Sequence, residues 1–138
     1  MDKIILTRDP LDANIASTLH RYDAGAVATF AGTVRAEDAC NRQLLALDYE
    51  AYEEMAIAML TNICKRAIEQ FAVLDAIIAH RLGRVKLGEA SIVVAVVSAH
   101  RVEAFDACRW IVDQVKTDVP IWKKDVWSDG STSWVDPS

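Results

Sequence analysis

The spacing of apolar residues along the chain predicts three helices, and the first of them spans residues 9–25. Asp9 is a candidate N-cap for this segment, because its carboxylate can accept hydrogen bonds from the free N–H groups of the first turn. The apolar positions that recur at helical spacing are Leu11, Ile15 and Leu19. The segment is therefore predicted to pack one face against a core.

Two later segments repeat the helical period. Residues 53–71 have apolar positions at Met55, Met59, Ile63 and Ala67. Residues 101–117 have them at Phe105, Cys108, Val112 and Val115. The third helix is predicted to stop before Pro120, because proline lacks an N–H donor and disfavours helical backbone in the residue before it.

Alternating or continuous apolar runs predict strands between the helices. These strands cover residues 3–7, 26–34, 44–52, 75–83 and 89–99, and a C-terminal hairpin is predicted around Asp129-Gly130. Residues 26–34 are predicted to be a buried strand and the polar residues 36–43 a loop. In the segment 44–52, alternation predicts one face with Leu45, Leu47, Tyr49 and Ala51.

The predicted order of elements is β-α-β-β-α-β-β-α-β-β. Adjacent strands along the chain favour an α+β fold with a mixed, mostly antiparallel sheet and three helices. The chain has 138 residues and no composition shift typical of a linker, so residues 1–138 are expected to form a single domain.

Composition narrows the functional classes. Hydrophobic residues make up 52% of the chain and charged residues 25%, which is typical of a globular protein. The formal net charge of −5 argues against a general nucleic-acid binder. Three cysteines without CxxC spacing argue against a disulfide framework or a zinc site. No apolar run is long enough to span a membrane and no signal-peptide pattern occurs, so we expect a cytoplasmic protein with no membrane partner.

Basic residues gather at the predicted ends of elements. Lys116 and Lys123 flank a Pro-Ile-Trp turn between the third helix and the strand that follows, and Arg35 ends a strand. Each of these charges alone is also explained as solvated surface, and Lys116 is favoured by the helix dipole.

The segment "SAHR", residues 98–101, follows an apolar strand and opens a helix. Free N–H groups at such a helix start, together with His100 and Arg101, suit an anion. The alternative is that Ser98 or His100 is a helix cap, and both interpretations can hold.

Several other chemistries lack support. The chain has no GxGxxG, GxxxxGK[ST], GxSxG or HExxH motif. Cys64 and Cys108 fall on apolar helical positions and are predicted to be core residues. The carboxylates of Glu50, Glu53 and Glu54 are better explained by helix capping than by an acid-base pair.

Four blocks in one order carry a resemblance to a known family: "GTVR", "LDYEAYEEMA", "HRLGRVKLGEASIVVAVVSAHR" and "VKTDVPIWKKD". Together the blocks resemble the large, catalytic subunits of molybdopterin synthase. The resemblance implies an α/β hammerhead-like fold and a homodimer within a heterotetramer. The partner it implies is a small ubiquitin-like sulfur carrier with a C-terminal Gly-Gly thiocarboxylate. Sulfur would pass from that carrier to cyclic pyranopterin monophosphate (precursor Z), with no metal and no cofactor.

The resemblance also implies roles for individual residues. Lys116 and Lys123 would be the catalytic pair, with Lys116 near the carrier's C-terminus and Lys123 near the pterin and its phosphate. The substrate-binding positions would be Thr33, Val34, Arg35, His100, Arg101, Lys124 and Asp125, besides the two lysines. A basic residue such as Arg35 or His100 is expected to approach the pocket of the neighbouring subunit.

Two features depart from the family pattern. The loop 36–43 has no glycine, and the last residues, "WVDPS", bring no basic side chain. We therefore expect the pocket to depend more on Arg81 or Lys124. Two other functions stay open from the residues: a non-catalytic module that binds a ubiquitin-like partner through a sheet edge and the C-terminal hairpin, and a small-ligand or phosphate-binding protein.

Overall fold

The structure is a computed structural model that describes residues 3–135. Its helices are α1 (Glu53–Phe71) and α2 (Arg101–Asp118). Its strands are β1 (Ile4–Thr7), β2 (Ala26–Thr33), β3 (Asp38–Ala39), β4 (Arg42–Ala51), β5 (Asp75–Arg81), β6 (Gly83–Lys86), β7 (Ala90–Ser98), β8 (Ile121–Trp127) and β9 (Thr132–Trp134). The predicted mixed α+β architecture is confirmed. Only the β1–β5 pair is parallel among the strand pairs of these residues, and every other pair is antiparallel.

The prediction of three helices is wrong, because the segment 9–25 contains only a short 3-10 helix, Ile15–Leu19. Side chains compete with helical hydrogen bonds there. The Asp12 carboxylate accepts the Asn14 N–H at 2.8 Å, and the Thr18 hydroxyl donates to the Ile15 carbonyl at 2.6 Å. The predicted apolar contact survives without the α-helix, since Ile15 and Leu19 are buried against the first sheet.

The first sheet has the strand order β1-β5-β7-β2. Its central strands, β5 and β7, are almost continuously buried. The α-helices cover one face and the 3-10 helix covers the other. Strand β2 lies at the edge and alternates in burial, so the prediction that residues 26–34 form a buried strand is wrong for alternate positions such as Val27.

The second sheet has the order β3-β4-β8-β9, with β6 pairing on the other side of β4. A register shift in β4 between Leu44 and Ala46 reverses which leucine faces inward. Leu44 is 4% exposed and Leu45 is 49% exposed, so the prediction that Leu45 shares one face with Leu47 and Tyr49 is wrong. Leu47 and Tyr49, also predicted for that face, are both buried.

The segment 36–43 is not an open loop. It contains β3 and a tight turn into β4, with Cys40 and Asn41 at φ of 51° and 62°. The turn thus uses left-handed backbone without glycine, which asparagine tolerates better than most residues.

Helices α1 and α2 begin and end within one residue of their predicted bounds. One apolar position near the start of each helix is nevertheless exposed. Met55 and Phe105, which belong to the apolar stripes predicted for these helices, are exposed, at 56% and 66%. Cys64 and Cys108 are buried as predicted, and burial raises the pKa of each thiol to about 11.

No helix within residues 3–135 is long and apolar enough to cross a membrane. Residues Asp136–Ser138, on which the expectation about the C-terminal tail depends, lie outside the described residues.

Candidate functional site

One cavity of about 530 Å³ lies where the two sheets and the end of α2 meet. Six of the predicted site residues line it. They are Thr33, Val34, Arg35, Lys116, Lys123 and Asp125. These residues come from two distant parts of the chain, 33–35 and 116–125, so the meeting of those two parts is a property of the fold and not of sequence proximity.

The turn between α2 and β8 holds the two lysines at the cavity. Lys116 lies in the last turn of α2, and Lys123 is the third residue of β8. The carbonyl of Pro120 accepts a hydrogen bond from the Tyr52 N–H at 3.3 Å, and the Trp122 ring meets the Tyr52 ring at 5.1 Å between centroids. Proline and these contacts restrict the backbone between the two lysines. The backbone positions from which the two lysine side chains extend are therefore fixed.

The end of β2 is fixed by backbone hydrogen bonds to the turn that precedes β7. The Val34 N–H donates to the Glu89 carbonyl at 3.0 Å, and the Gly88 N–H donates to the Val34 carbonyl at 2.7 Å. Val34 is buried, while Thr33 and Arg35 on either side are exposed. The guanidinium of Arg35 is therefore free to turn toward an anion in the cavity.

The cavity has a buried base that sequence reasoning did not predict. It includes His80 on β5, Tyr49 on β4 and Ser91 on β7. The rings of Tyr49 and His80 meet edge to face at 5.1 Å. Burial lowers the pKa of His80 to about 4 and raises the pKa of the Tyr49 phenol, so both side chains are neutral near pH 7. A histidine inside an otherwise apolar strand is the one sequence signal for this base.

Two carboxyl groups, of Glu37 and Asp125, also line the cavity. Burial and the nearby Glu37 raise the pKa of Asp125, while Lys123 and Arg42 oppose that rise. Within residues 3–135 neither Lys116 nor Lys123 has a carboxylate within 4.0 Å. The ammonium charges are thus not cancelled by ion pairs, which suits a site for anions.

Three predicted substrate-binding residues lie outside this cavity of the same chain. The Lys124 ammonium lies 5.2 Å from the centroid of the Trp134 ring, and Lys124 does not line the cavity. His100 and Arg101 lie at the start of α2, and Lys116 lies near its end. An α-helix rises about 1.5 Å per residue, so Arg101 and Lys116 lie about 22 Å apart along the helix axis.

The start of α2 does not have the side-chain cap that was the alternative interpretation of Ser98 or His100. His100 occupies the N-cap position, but its side chain makes no capping hydrogen bond. The buried Ser98 hydroxyl donates to the His100 carbonyl instead of accepting an amide proton. His100 and Arg101 are both exposed, so their side chains are available to another molecule.

Arg81, expected to support the pocket, does not line it. Its guanidinium lies 3.2 Å from the Glu89 carboxylate. A shallower groove next to the cavity contains Arg84, whose guanidinium makes two hydrogen bonds to Asp48 at 2.9 and 3.0 Å. These arginine charges are already paired, so the cavity with the two lysines is the better anion site.

Residues 3–135 contain no group of three or more histidine, cysteine, aspartate or glutamate side chains that could hold a metal ion. The candidate chemistry of the cavity therefore comes from ammonium, guanidinium, carboxyl, imidazole and phenol groups.

Comparison with known proteins agrees with the sequence blocks. A family model described as MoaE protein matches residues 6–118. The chain belongs to the MoaE family. The molybdopterin synthase catalytic subunit of Thermoplasma volcanium is 46% identical over 126 residues, which cover 91% of this chain and 90% of that protein.

Solved structures extend the MoaE likeness to the fold. The crystal structure of molybdopterin synthase from Staphylococcus aureus matches with a TM-score of 0.91 and 29% identity, over 99% of this chain and 98% of that one. A protein-protein complex of subunits 1 and 2 of the molybdopterin-converting factor from Helicobacter pylori matches with a TM-score of 0.81. Its match covers 98% of this chain and 91% of that one at 21% identity, so it supports the fold alone.

Proposed function

We propose that this MoaE-family chain is the catalytic subunit of a molybdopterin synthase. It transfers sulfur from the thiocarboxylated C-terminus of a small carrier subunit to precursor Z, and two transfers build the dithiolene of molybdopterin. The observation that carries the proposal is the convergence of Lys116, Lys123 and Arg35 in one cavity, where none of the three forms an ion pair with a residue of the described range 3–135. The named relatives support the same activity.

The chemistry explains why the cavity is cationic. The donor is a thiocarboxylate anion and the acceptor has a cyclic phosphate, so two anions must be held together while charge moves between them. Preorganised cations in a partly enclosed site stabilise such charge more than water does. Lys116 would contact the carrier's C-terminus and Lys123 the pterin and its phosphate. An ammonium group can also donate a proton during the transfer, which a guanidinium does poorly.

The remaining substrate contacts follow from position. Thr33, Val34 and Arg35 form one wall of the cavity, and Asp125 lies two residues after Lys123 on β8. We propose that this wall holds the substrate, with Arg35 directed to the phosphate. Lys124 lies outside the cavity, where its ammonium group is near the Trp134 ring of β9. Its effect on the substrate would be indirect, through the β8–β9 hairpin.

His100 and Arg101 can serve the reaction only across a subunit boundary. Each lies too far along α2 to reach the cavity of its own chain, as the separation of about 22 Å implies. We propose a homodimer in which these residues complete the neighbouring subunit's cavity, and a heterotetramer with one carrier on each catalytic subunit. Exposed Val102 and Phe105 beside them on α2 offer apolar surface for such a contact.

The proposal includes the single domain and the hammerhead-like fold expected for residues 1–138, of which residues 3–135 are described. It also includes action in the cytoplasm, where the thiols of Cys40, Cys64 and Cys108 would stay reduced.

Reconstitution tests the proposal. The purified chain, a thiocarboxylated carrier and precursor Z are incubated together and molybdopterin is measured. We expect product with the wild-type chain and with Lys65→Ala, which removes an exposed lysine of α1. Carrier binding without product in the wild-type reaction would favour the alternative of a non-catalytic binding module.

Arg35→Ala and Arg101→Ala test the substrate contacts. Each variant is expected to bind precursor Z more weakly in a calorimetric titration while it still binds the carrier. The reverse pattern would assign these residues to the protein interface.

A further inference from the structure

We propose that His80 is a positioning residue for Lys116: when the lysine side chain turns toward the base of the cavity, the free Nε2 atom of His80 accepts a hydrogen bond from the ammonium group and orients it. The inference rests on the proposed function, because it assumes that Lys116 acts on the carrier's C-terminus. It concerns a side chain of the cavity base, which the predicted site did not include.

The tautomer of His80 is determined by its neighbour. The Nδ1 atom lies 2.9 Å from the backbone carbonyl oxygen of Arg81. A carbonyl oxygen can only accept, so Nδ1 must carry the proton. In a neutral imidazole the other nitrogen, Nε2, then has a free lone pair and can only accept a hydrogen bond.

The ring is held in one place and stays uncharged. His80 is 6% exposed and packs edge to face against Tyr49. Its Cα partners in the sheet are Leu6 on β1 and Ile92 on β7, so strands enclose it on both sides. Burial, with smaller contributions from the positive charges of Lys116 and Lys123, lowers the pKa of His80 to about 4.

The acceptor atom is available to the cavity. Within residues 3–135 the Nε2 atom has no hydrogen-bond partner, and His80 lines the same cavity as Lys116. Of the two lysines, Lys116 exerts the larger electrostatic effect on the ring. Lys116 also has no carboxylate partner among the described residues.

A neutral acceptor has a specific advantage here. A carboxylate next to Lys116 would orient the ammonium but would also cancel much of its positive charge. Imidazole orients the group through a hydrogen bond and leaves the charge for the incoming anions. Lysine has a long flexible side chain, so a fixed acceptor reduces the number of positions that the ammonium group visits.

Two His80 variants separate an acceptor from a space-filling side chain. His80→Gln keeps a neutral acceptor near the Nε2 position, and His80→Leu removes it while retaining bulk. We expect His80→Leu to lower kcat about 10- to 100-fold, the scale of a misplaced catalytic group, with carrier affinity unchanged. His80→Gln should stay within about 5-fold of the wild type. Wild-type kcat in His80→Leu, or equal loss in both variants, would overturn the proposal.

A second measurement does not depend on turnover or on the folding of a His80 variant. In protein with 15N-labelled histidine, the Nε2 resonance of His80 reports whether that atom accepts a hydrogen bond. We expect it to move in Lys116→Met and not in Lys65→Met, which removes an exposed lysine of α1. The same Nε2 resonance in the wild type and Lys116→Met would overturn the inferred contact. Failure of the wild-type chain to make molybdopterin would instead contradict the proposed function and leave this spectrum interpretable.

Discussion

The buried, uncharged state of His80 predicts that the protein loses stability as the pH falls from 7 to 5. The folded pKa is about 4, and the ordinary value of the side chain is 6.5. Between these values the unfolded chain binds a proton that the folded chain does not. Unfolding therefore takes up a proton, and acid favours the unfolded state.

The size of the effect follows from the two pKa values. At pH 5 the imidazole is about 97% protonated in the unfolded chain and about 9% in the folded one. This difference removes about 2 kcal/mol from the free energy of unfolding at pH 5 and very little at pH 7. The loss begins near pH 7 and is complete below pH of about 4, where both states are protonated.

Urea denaturation followed by tryptophan fluorescence at pH 7 and pH 5 measures the effect. Carboxyl groups also titrate in acid, so the quantity of interest is the difference between the wild type and His80→Gln. The wild type should lose about 2 kcal/mol more than this variant between the two pH values. His20→Gln, a change of an exposed histidine outside the cavity, is the matched control and should behave as the wild type does. Equal losses in the wild type and His80→Gln would refute the assignment of a buried neutral ring.

Three further predictions follow from the cavity and its walls. Lys116→Ala and Lys123→Ala should each lower the rate of molybdopterin formation roughly 100-fold or more. Each should shift the free energy of unfolding by less than about 0.5 kcal/mol. A variant with turnover close to that of the wild type would exclude its lysine from catalysis. Gly32→Ala should destabilise the fold by about 1–3 kcal/mol, because the added Cβ would lie 2.7 Å from Cγ2 of Ile92. Urea denaturation measures this loss, and an unchanged midpoint would contradict the packing. Light scattering at micromolar concentration should give the mass of a homodimer, and a fully active monomer would rule out a cavity shared between subunits.

Periodicity predicted the two α-helices well because their inner faces pack on an extended sheet. The same reasoning failed for residues 9–25, where the side chains of Asp12 and Thr18 hydrogen-bond to the backbone of the short 3-10 helix. It also failed for Leu45, because a register shift cannot be seen in an alternating pattern. Phe105 shows a third limit, since helical spacing alone does not say whether a neighbour exists to cover an apolar side chain.

The candidate site was predicted in part. The turn at Pro120 brings Lys116 and Lys123 to one cavity because only six residues separate them, and such a local relation can be read from sequence. His80 was not among the predicted site residues, since a histidine inside an apolar strand does not by itself show whether its ring lines a cavity or only packs in the core. Arg101 illustrates the converse case: its distance from the cavity depends on helix length and on assembly, and neither is a property of its own segment.

The burial of two of the three cysteines has a practical consequence for experiments on this chain. Cys64 and Cys108 lie within the core with the pKa of each thiol raised to about 11, so at neutral pH they hold almost no thiolate. Cys40 is exposed at the turn between β3 and β4, three residues from Glu37 at the cavity. The native sequence therefore offers one position for a thiol-reactive fluorophore, and a dye there would lie within three residues of the cavity lining without any engineered substitution.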